Sequence, residues 1–257
     1  MANASEAFVT VCGCKTFMRR AGTGTPVLFL HGAGGLPGWQ PFLARLAERY
    51  DVIAPDHPGY GQSDGPPWLE EVADLAQFYL EFLKTFDLTG VQVIGHSLGG
   101  WIALEMATRS TARMKSVTLL SSAGIRVKGM GPPDLFAMDP DELVRTLFHD
   151  QVLIEQALNT PPTPEQIATI TRNRATSARL GWNPRLFNPK LRKWLRRIDV
   201  PTHIIWGDQD KIFAAAYATE LQNEIAGARV TIIPDTGHML QVERPDAVAD
   251  AVLAFAG

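Results

Sequence analysis

The stretch that most constrains this chain runs from Val91 to Ala107. The apolar run Val91-Gln92-Val93-Ile94 leads into Gly95-His96-Ser97-Leu98-Gly99. Gly100-Trp101-Ile102-Ala103-Leu104-Glu105-Met106-Ala107 follows, with the composition and spacing of a buried helix. A serine between two glycines at such a strand-to-helix junction implies a sharp, strained turn with no room for side chains beside the serine. The turn lifts the hydroxyl clear of the backbone, above the N-terminus of a helix. A G-x-S-x-G match alone also fits an ordinary tight turn at a helix start. The rest of the chain must supply an acid and a base before that hydroxyl acquires a chemical role.

The flanking segments alternate between two periodicities. Phe8–Val11 and Lys15–Met18 read as two short strands around Gly13, and Pro26–Leu30 and Val52–Ala54 as buried strands. Val91–Ile94, Val117–Leu120, His203–Trp206 and Val230–Ile233 continue the series. Helices are expected over Trp39–Tyr50, Trp68–Phe86, Gly100–Thr108, Ala214–Ile225 and Pro245–Phe255. The alternation breaks from Ile125 to Arg197, which holds prolines and helical patterns and no clear strand. Two helices are expected there, Asp139–Leu158 and Thr163–Leu180, with Thr163 able to cap the second. Alternating strands and helices predict an α/β fold, a mostly parallel eight-stranded sheet covered on both faces. Residues 1–124 and 198–257 would form its core, and residues 125–197 an inserted helical lid.

Bulk composition narrows the function. A chain of 257 residues with 46% hydrophobic content suits one domain with a large core. A net charge of −3 argues against a nucleic-acid binder. There is no run of about 18 apolar residues to span a membrane. Met1–Glu6 is small and polar, without the basic start and apolar centre of a secretory signal, so a cytoplasmic location is expected. The 2 cysteines, Cys12 and Cys14, flank Gly13. A bridge over one residue would be strained and a metal would need more ligands, so free thiols in a reducing compartment are expected. Neither a metal nor an organic cofactor is expected.

Other loops offer the missing groups. Pro26–Leu30 ends in His31-Gly32-Ala33-Gly34-Gly35, small residues that let the backbone approach a substrate. An N–H from this loop could join that of Leu98, after the serine, to hold an oxyanion. Of the 6 histidines, His238 alone follows a late strand beside a glycine. His96 adjoins the serine in a turn where neighbours point apart. His31 and His57 lie on neighbouring loops as braces. His149 falls in a lid helix and His203 at a strand start. An imidazole at 238 could take and return a proton. Asp208 and Asp210, in Trp206-Gly207-Asp208-Gln209-Asp210, are both candidates to orient it. The strand end Leu120–Gly124 offers no carboxylate.

With these segments in order, the chain resembles the α/β-hydrolase-fold superfamily over nearly its whole length except the lid. The order serine, acid, histidine is that fold's order. His31-Gly32-Ala33-Gly34 resembles its oxyanion loop and Asp56-His57-Pro58-Gly59-Tyr60-Gly61-Gln62-Ser63 its D-x-P-G-x-G-x-S loop. Trp206-Gly207-x-x-Asp210 resembles its acid loop, and Gly237-His238 through Glu243-Arg244-Pro245 its closing segment. The resemblance implies a triad of Ser97, Asp210 and His238, with Ala33 and Leu98 as the oxyanion donors. Expected substrate contacts are Gly34, Leu36, Trp39, Phe136, Trp182, Phe187 and Met239.

A serine at the elbow disfavours the dehalogenase and epoxide-hydrolase branches, which carry aspartate there. Carbon–carbon bond hydrolases often have Gly-Pro-Gly in the oxyanion loop, where this chain runs Gly34-Gly35-Leu36-Pro37-Gly38. They often have tryptophan after the histidine, where this chain has Met239. Hydrolysis of a small apolar or aromatic carboxylic ester through an acyl-enzyme is the first expectation. Carbon–carbon cleavage and a ligand-binding receptor of the same fold are the alternatives. From Arg172 to Arg197 cations alternate with Trp182, Phe187 and Trp194, with no acid between them. A solvated face with stems packed on the rings is the preferred reading, a cationic aromatic entrance the other. A small-molecule substrate, no nucleic acid, and a monomer or homodimer complete the expectations.

Overall fold

The computed structural model describes residues 4–256. Eight strands form one sheet: β1 Ser5–Val11, β2 Cys14–Ala21, β3 Pro26–Leu30, β4 Asp51–Pro55, β5 Val91–His96, β6 Met114–Leu120, β7 Thr202–Gly207 and β8 Arg229–Ile233. Their order is β1-β2-β4-β3-β5-β6-β7-β8. β2 runs antiparallel to both its neighbours, and β3 to β8 are mutually parallel. The helices are α1 Pro41–Leu46, α2 Val72–Thr85, α3 Leu98–Arg109, α4 Pro140–Leu147, α5 Gln151–Asn159, α6 Pro164–Gly181, α7 Ala216–Glu224, α8 Leu240–Glu243 and α9 Pro245–Ala256. A 3-10 turn spans Arg192–Arg197. This is the α/β hydrolase architecture that the sequence predicts. Among the described residues, no helix is long and apolar enough to cross a membrane.

The near-continuous apolar strands follow from a sheet covered on both faces. Successive residues feed opposite cores. Leu28 and Leu30, Ile53, Val93, Leu119 and Ile204 join the core beneath α2, α3 and α7. Val27 and Phe29, Val52, Ile94, Leu120 and Ile205 join the one beneath α1 and α9. Every residue of α3 from Leu98 to Thr108 is buried, so the serine turn sits at the centre of the molecule.

Several boundaries differ from expectation. α1 is shorter than Trp39–Tyr50, because Pro41 starts it and the chain turns into β4 after Leu46. α2 starts at Val72 rather than Trp68, where the Asp74 carboxylate accepts the Glu70 and Glu71 N–H groups at 2.8 and 2.9 Å. Asp139–Leu158 divides into α4 and α5, because Asp150 caps a new helix through the N–H groups of Val152 and Leu153. His149 therefore lies between helices, not within one. Thr163 caps α6, reciprocated by the Gln166 side chain. Cys12 is exposed, Cys14 is buried and both are free.

Candidate active site

Ser97 closes β5 and precedes α3 with φ 52° and ψ −111°. Such a conformation costs a side-chain-bearing residue about 1–3 kcal/mol and persists only where its surroundings impose it. The surroundings here are β6 and its loop. The Ser97 N–H donates to Leu120 O at 2.9 Å, and Ser97 O accepts from Ala123 N at 3.0 Å and Trp101 N at 3.1 Å. The flanking glycines are needed for close approach, since neither has positive φ. A Cβ on Gly95 would stand 2.2 Å from Gly99 O, and one on Gly99 1.9 Å from Leu30 O. The Leu98 N–H is the first of α3, where no intrahelical acceptor exists.

The loops after β7 and β8 are laced together. Asp208 N donates to Ile233 O at 3.1 Å and Gln209 N to Thr236 O at 3.0 Å. Gly207 permits this contact, since a Cβ there would lie 2.2 Å from Thr236 O. Of the two candidate acids, Asp210 reaches the imidazole: its Oδ2 lies 2.9 Å from His238 Nδ1. Its Oδ1 accepts the N–H groups of Ile212 and Phe213 at 2.8 and 3.0 Å. Asp208 is exposed, and its carboxylate instead faces Thr236 N at 3.3 Å. Burial pushes the Asp210 carboxyl up. The His238 charge and hydrogen bond, with the two backbone N–H groups, outweigh that and hold it below the usual carboxylate range. A carboxylate at Nδ1 fixes the Nδ1–H tautomer and leaves the Nε2 lone pair to accept a proton.

His96 ties this group to the serine. Its Nε2–H donates to His238 O at 3.0 Å, and the two rings lie 5.1 Å apart. Burial, then the charge on His238, push the His96 ring down to about 3, so it serves as a neutral brace. His31 and His57 brace the opposite side. His57 N donates to His31 Nε2 at 3.0 Å, and His31 Nδ1 reaches Gly32 O at 2.7 Å. His57 Nε2 donates to His31 O at 2.9 Å and its Nδ1 accepts from Tyr79 OH at 2.5 Å. Burial depresses the pKa of both rings. The Ala33 N–H has no hydrogen-bond partner among the described residues. Among those residues no group of three or more His, Cys, Asp or Glu is placed to hold a metal ion.

The expected substrate contacts do not all gather here. Gly34 is exposed on the loop after β3, and Met239 is partly buried beside His238, its N–H 3.3 Å from Leu147 O. Trp39 packs against the core beneath α1, with its Nε1 buried and unpaired. Leu36 belongs to that same core and is 7% exposed. Trp182 is 53% exposed and lies tilted against Phe136, with ring centroids 5.5 Å apart. Trp182 and Phe187 line an open cleft of about 440 Å³ together with Arg126 and Arg185, and neither Ser97 nor His238 forms its wall.

Four cations of the basic segment, Arg172, Arg174, Arg185 and Arg192, are held by other elements. Arg172 donates to Gly61 O and Ser63 O, and Arg174 to Phe136 O and Met138 O. Arg185 pairs with Asp134, and Arg192 with Glu220 and Glu224. The acids missing between the cations come from other elements.

Three further side chains reach these loops, Asn173 at Gly34 O, Ser177 at Ala33 O and Glu243 at Gly237 N, and residue type alone does not mark them. Glu243 carried a signal as part of the closing Glu-Arg-Pro segment. Asn173 and Ser177, one helical turn apart, look in sequence like any solvated polar face.

Comparison with known proteins agrees with this architecture. The sequence profile for the alpha/beta hydrolase fold matches residues 25–245. The 2-hydroxy-6-oxo-6-(2'-aminophenyl)hexa-2,4-dienoic acid hydrolase of Metapseudomonas resinovorans is 28% identical over 97% of this chain and 90% of its own. Lipase 1 of Psychrobacter immobilis is 28% identical over 90% of this chain and 77% of its own. A solved membrane phospholipase A, described as a bacterial virulence factor, superposes with a TM-score of 0.83 at 25% identity, over 98% of this chain and 85% of that one. From its sheet order, its serine turn and this match, the chain belongs to the alpha/beta hydrolase fold family.

Proposed function

We propose that this protein is a serine hydrolase that cleaves a carboxylic ester of a small, apolar or aromatic substrate through an acyl-enzyme. The observation that carries the reading is the 2.9 Å contact from Asp210 to His238 Nδ1, in a ring anchored beside the strained Ser97 turn. Ser97 Oγ attacks the ester carbonyl carbon as His238 Nε2 takes its proton. The Ala33 and Leu98 N–H groups receive the oxyanion, and Asp210 stabilises the imidazolium. Collapse expels the alcohol, which leaves with the proton from Nε2. Water then repeats the sequence on the acyl-enzyme, releasing the acid and restoring the Ser97 hydroxyl. Residues 125–197 act as the lid over this site, with Gly34, Phe136 and Met239 as candidate substrate contacts.

A fluorophosphonate label followed by peptide mapping tests the assignment. One adduct at Ser97 is expected, with turnover of p-nitrophenyl butyrate falling at least about 10⁴-fold in Ser97→Ala. Undiminished turnover in that variant would overturn the covalent mechanism.

Carbon–carbon hydrolysis is the second reading, favoured by the Metapseudomonas relative. Against it stand Met239 and the Gly34-Gly35-Leu36-Pro37-Gly38 loop. A vinylogous diketone assayed beside an ester chain-length series separates the two.

A further inference from the structure

Helix α6 presents Asn173, Thr176 and Ser177 on one face, three and four residues apart. They are 4%, 8% and 5% exposed. A buried polar side chain needs a partner, and each of these finds one on the loops at the carboxyl ends of β3 and β4. Ser177 Oγ donates to Ala33 O at 2.9 Å and accepts from Tyr60 OH at 2.8 Å. Asn173 Nδ2 donates to Gly34 O at 2.9 Å, while its Oδ1 accepts the Gly61 N–H at 2.9 Å. Thr176 Oγ1 donates to Gly59 O at 2.9 Å. Gly35 has φ 86°, and a Cβ there would stand 2.3 Å from Asn173 Nδ2. At Gly35 the loop therefore offers bare backbone to the Asn173 side chain.

These bonds matter because a peptide unit is rigid. The Gly32 carbonyl shares its plane with the Ala33 N–H, and it is held by His31 Nδ1 at 2.7 Å and Gly35 N at 3.0 Å. The next two planes contain the Ala33 and Gly34 carbonyls, which Ser177 and Asn173 hold from the other side. The Ala33 N–H thus lies in a plane anchored from the core, followed directly by two planes anchored from α6.

We propose that Ser177 and Asn173 are positioning residues that hold the Ala33 loop in register for binding an oxyanion. Helix α6 is then a fixed part of the catalytic scaffold and not a swinging flap. The inference rests on the roles proposed above for Ser97 and Ala33. It adds a device on a different element from either.

The test compares Ser177→Ala, Ser177→Thr and Asn173→Ala with the wild type. Four quantities are read: kcat and KM on p-nitrophenyl butyrate, the inhibition constant of a trifluoromethyl ketone carrying the same acyl chain, and the melting temperature. The ketone adds to Ser97 as a hemiketal whose oxyanion probes the same N–H donors. Ser177→Ala and Asn173→Ala should each lower kcat about ten- to a hundredfold with KM within about twofold. Ketone affinity should fall in parallel with kcat, and Ser177→Thr, which keeps a hydroxyl, should recover most of both. Unchanged kcat and ketone affinity in Ser177→Ala would overturn the proposal. So would a fall in kcat with ketone affinity intact, or a loss that tracks melting temperature and is shared equally by the threonine variant. A wild type that resists fluorophosphonate would mark failure of the hydrolase reading itself. A labelled wild type beside an unaffected Ser177→Ala would mark failure of this inference alone.

Discussion

Two glycines of one pentapeptide do the same job, and neither uses the freedom of φ usually associated with glycine. The strain at the turn is carried by Ser97, at φ 52°. Gly95 and Gly99 are there because backbone occupies the space a methyl group would need. Gly99→Ala sets a Cβ 1.9 Å from Leu30 O, an atom fixed in the sheet, so the strand or the helix must move. A loss of about 3 kcal/mol or more of unfolding free energy is expected, at or beyond the upper end for overpacking a core. Gly34→Ala supplies the contrast: it has no atom within 4 Å of an added Cβ and no positive φ. Its urea midpoint should match the wild type within the error of the measurement, and equal losses in both variants would refute the contact argument. The residues proposed to bear the chemistry are legible for a similar reason. Small residues around Ser97 and Ala33 and a histidine after a late strand are forced by close approach, and close approach leaves its mark on residue type. Asp210 and Asp208 were not separable from residue type alone. The Trp206-Gly207-x-x-Asp210 spacing favours Asp210 by resemblance, and the lacing of two loops is the physical reason that this carboxylate faces the ring.

At the scale of elements, one side chain joins the segment between α4 and α5 to the loop that carries His238. Glu243, 6% exposed, accepts Gly237 N on Oε1 at 2.9 Å, and His149 N and Asp150 N on Oε2 at 2.9 and 2.8 Å. His238 N donates to Leu147 O at 3.0 Å along the same seam, and Arg244 closes it by pairing with Asp150. In Glu243→Gln one acceptor becomes an NH₂ that faces backbone N–H groups. A buried donor is left unpaired, at a cost of about 2–3 kcal/mol. A matching fall in the urea-unfolding free energy is expected. Well below the melting transition kcat should fall more than KM rises, because the seam holds the imidazole's own backbone. Unaltered stability would mean that the three N–H groups find water instead. This seam explains why the helical interval was harder to read than the sheet. Strands buried on both faces announce themselves by unbroken apolar runs. The break between α4 and α5 is set instead by Asp150 and by a carboxylate 93 residues further along the chain. Likewise the start of α2 depends on Asp74 and not on the apolar stripe that extends back to Trp68.

For the whole molecule, the same burial that makes His31, His57 and His96 good braces makes the fold sensitive to acid. All three are wholly enclosed and held neutral, His96 with its pKa lowered to about 3 and His57 well below the ordinary value. An unfolded chain exposes rings that titrate near 6.5. Above that pH neither state binds protons at these rings, and they contribute no pH dependence. As pH falls below 6.5 the unfolded state gains protons that the folded state refuses, so stability declines. Each such ring contributes up to about 1.4 kcal/mol per pH unit. His96 and His57 together make the expected loss about 2.4 kcal/mol between pH 6 and 5, and His31 adds to it. Asp210 acts in the same direction at lower pH. Its folded pKa is depressed, so the stability it adds is present above the unfolded carboxylate value and is lost as pH falls through the folded one. Urea unfolding at pH 7.5, 6.0 and 5.0 measures the slope. A flat profile would require these rings to be charged in the folded state. That is incompatible with His31 Nε2 accepting from His57 N and with His57 Nδ1 accepting from Tyr79 OH. The arrangement that stiffens the loops around the serine therefore sets the acid limit of the molecule that carries them.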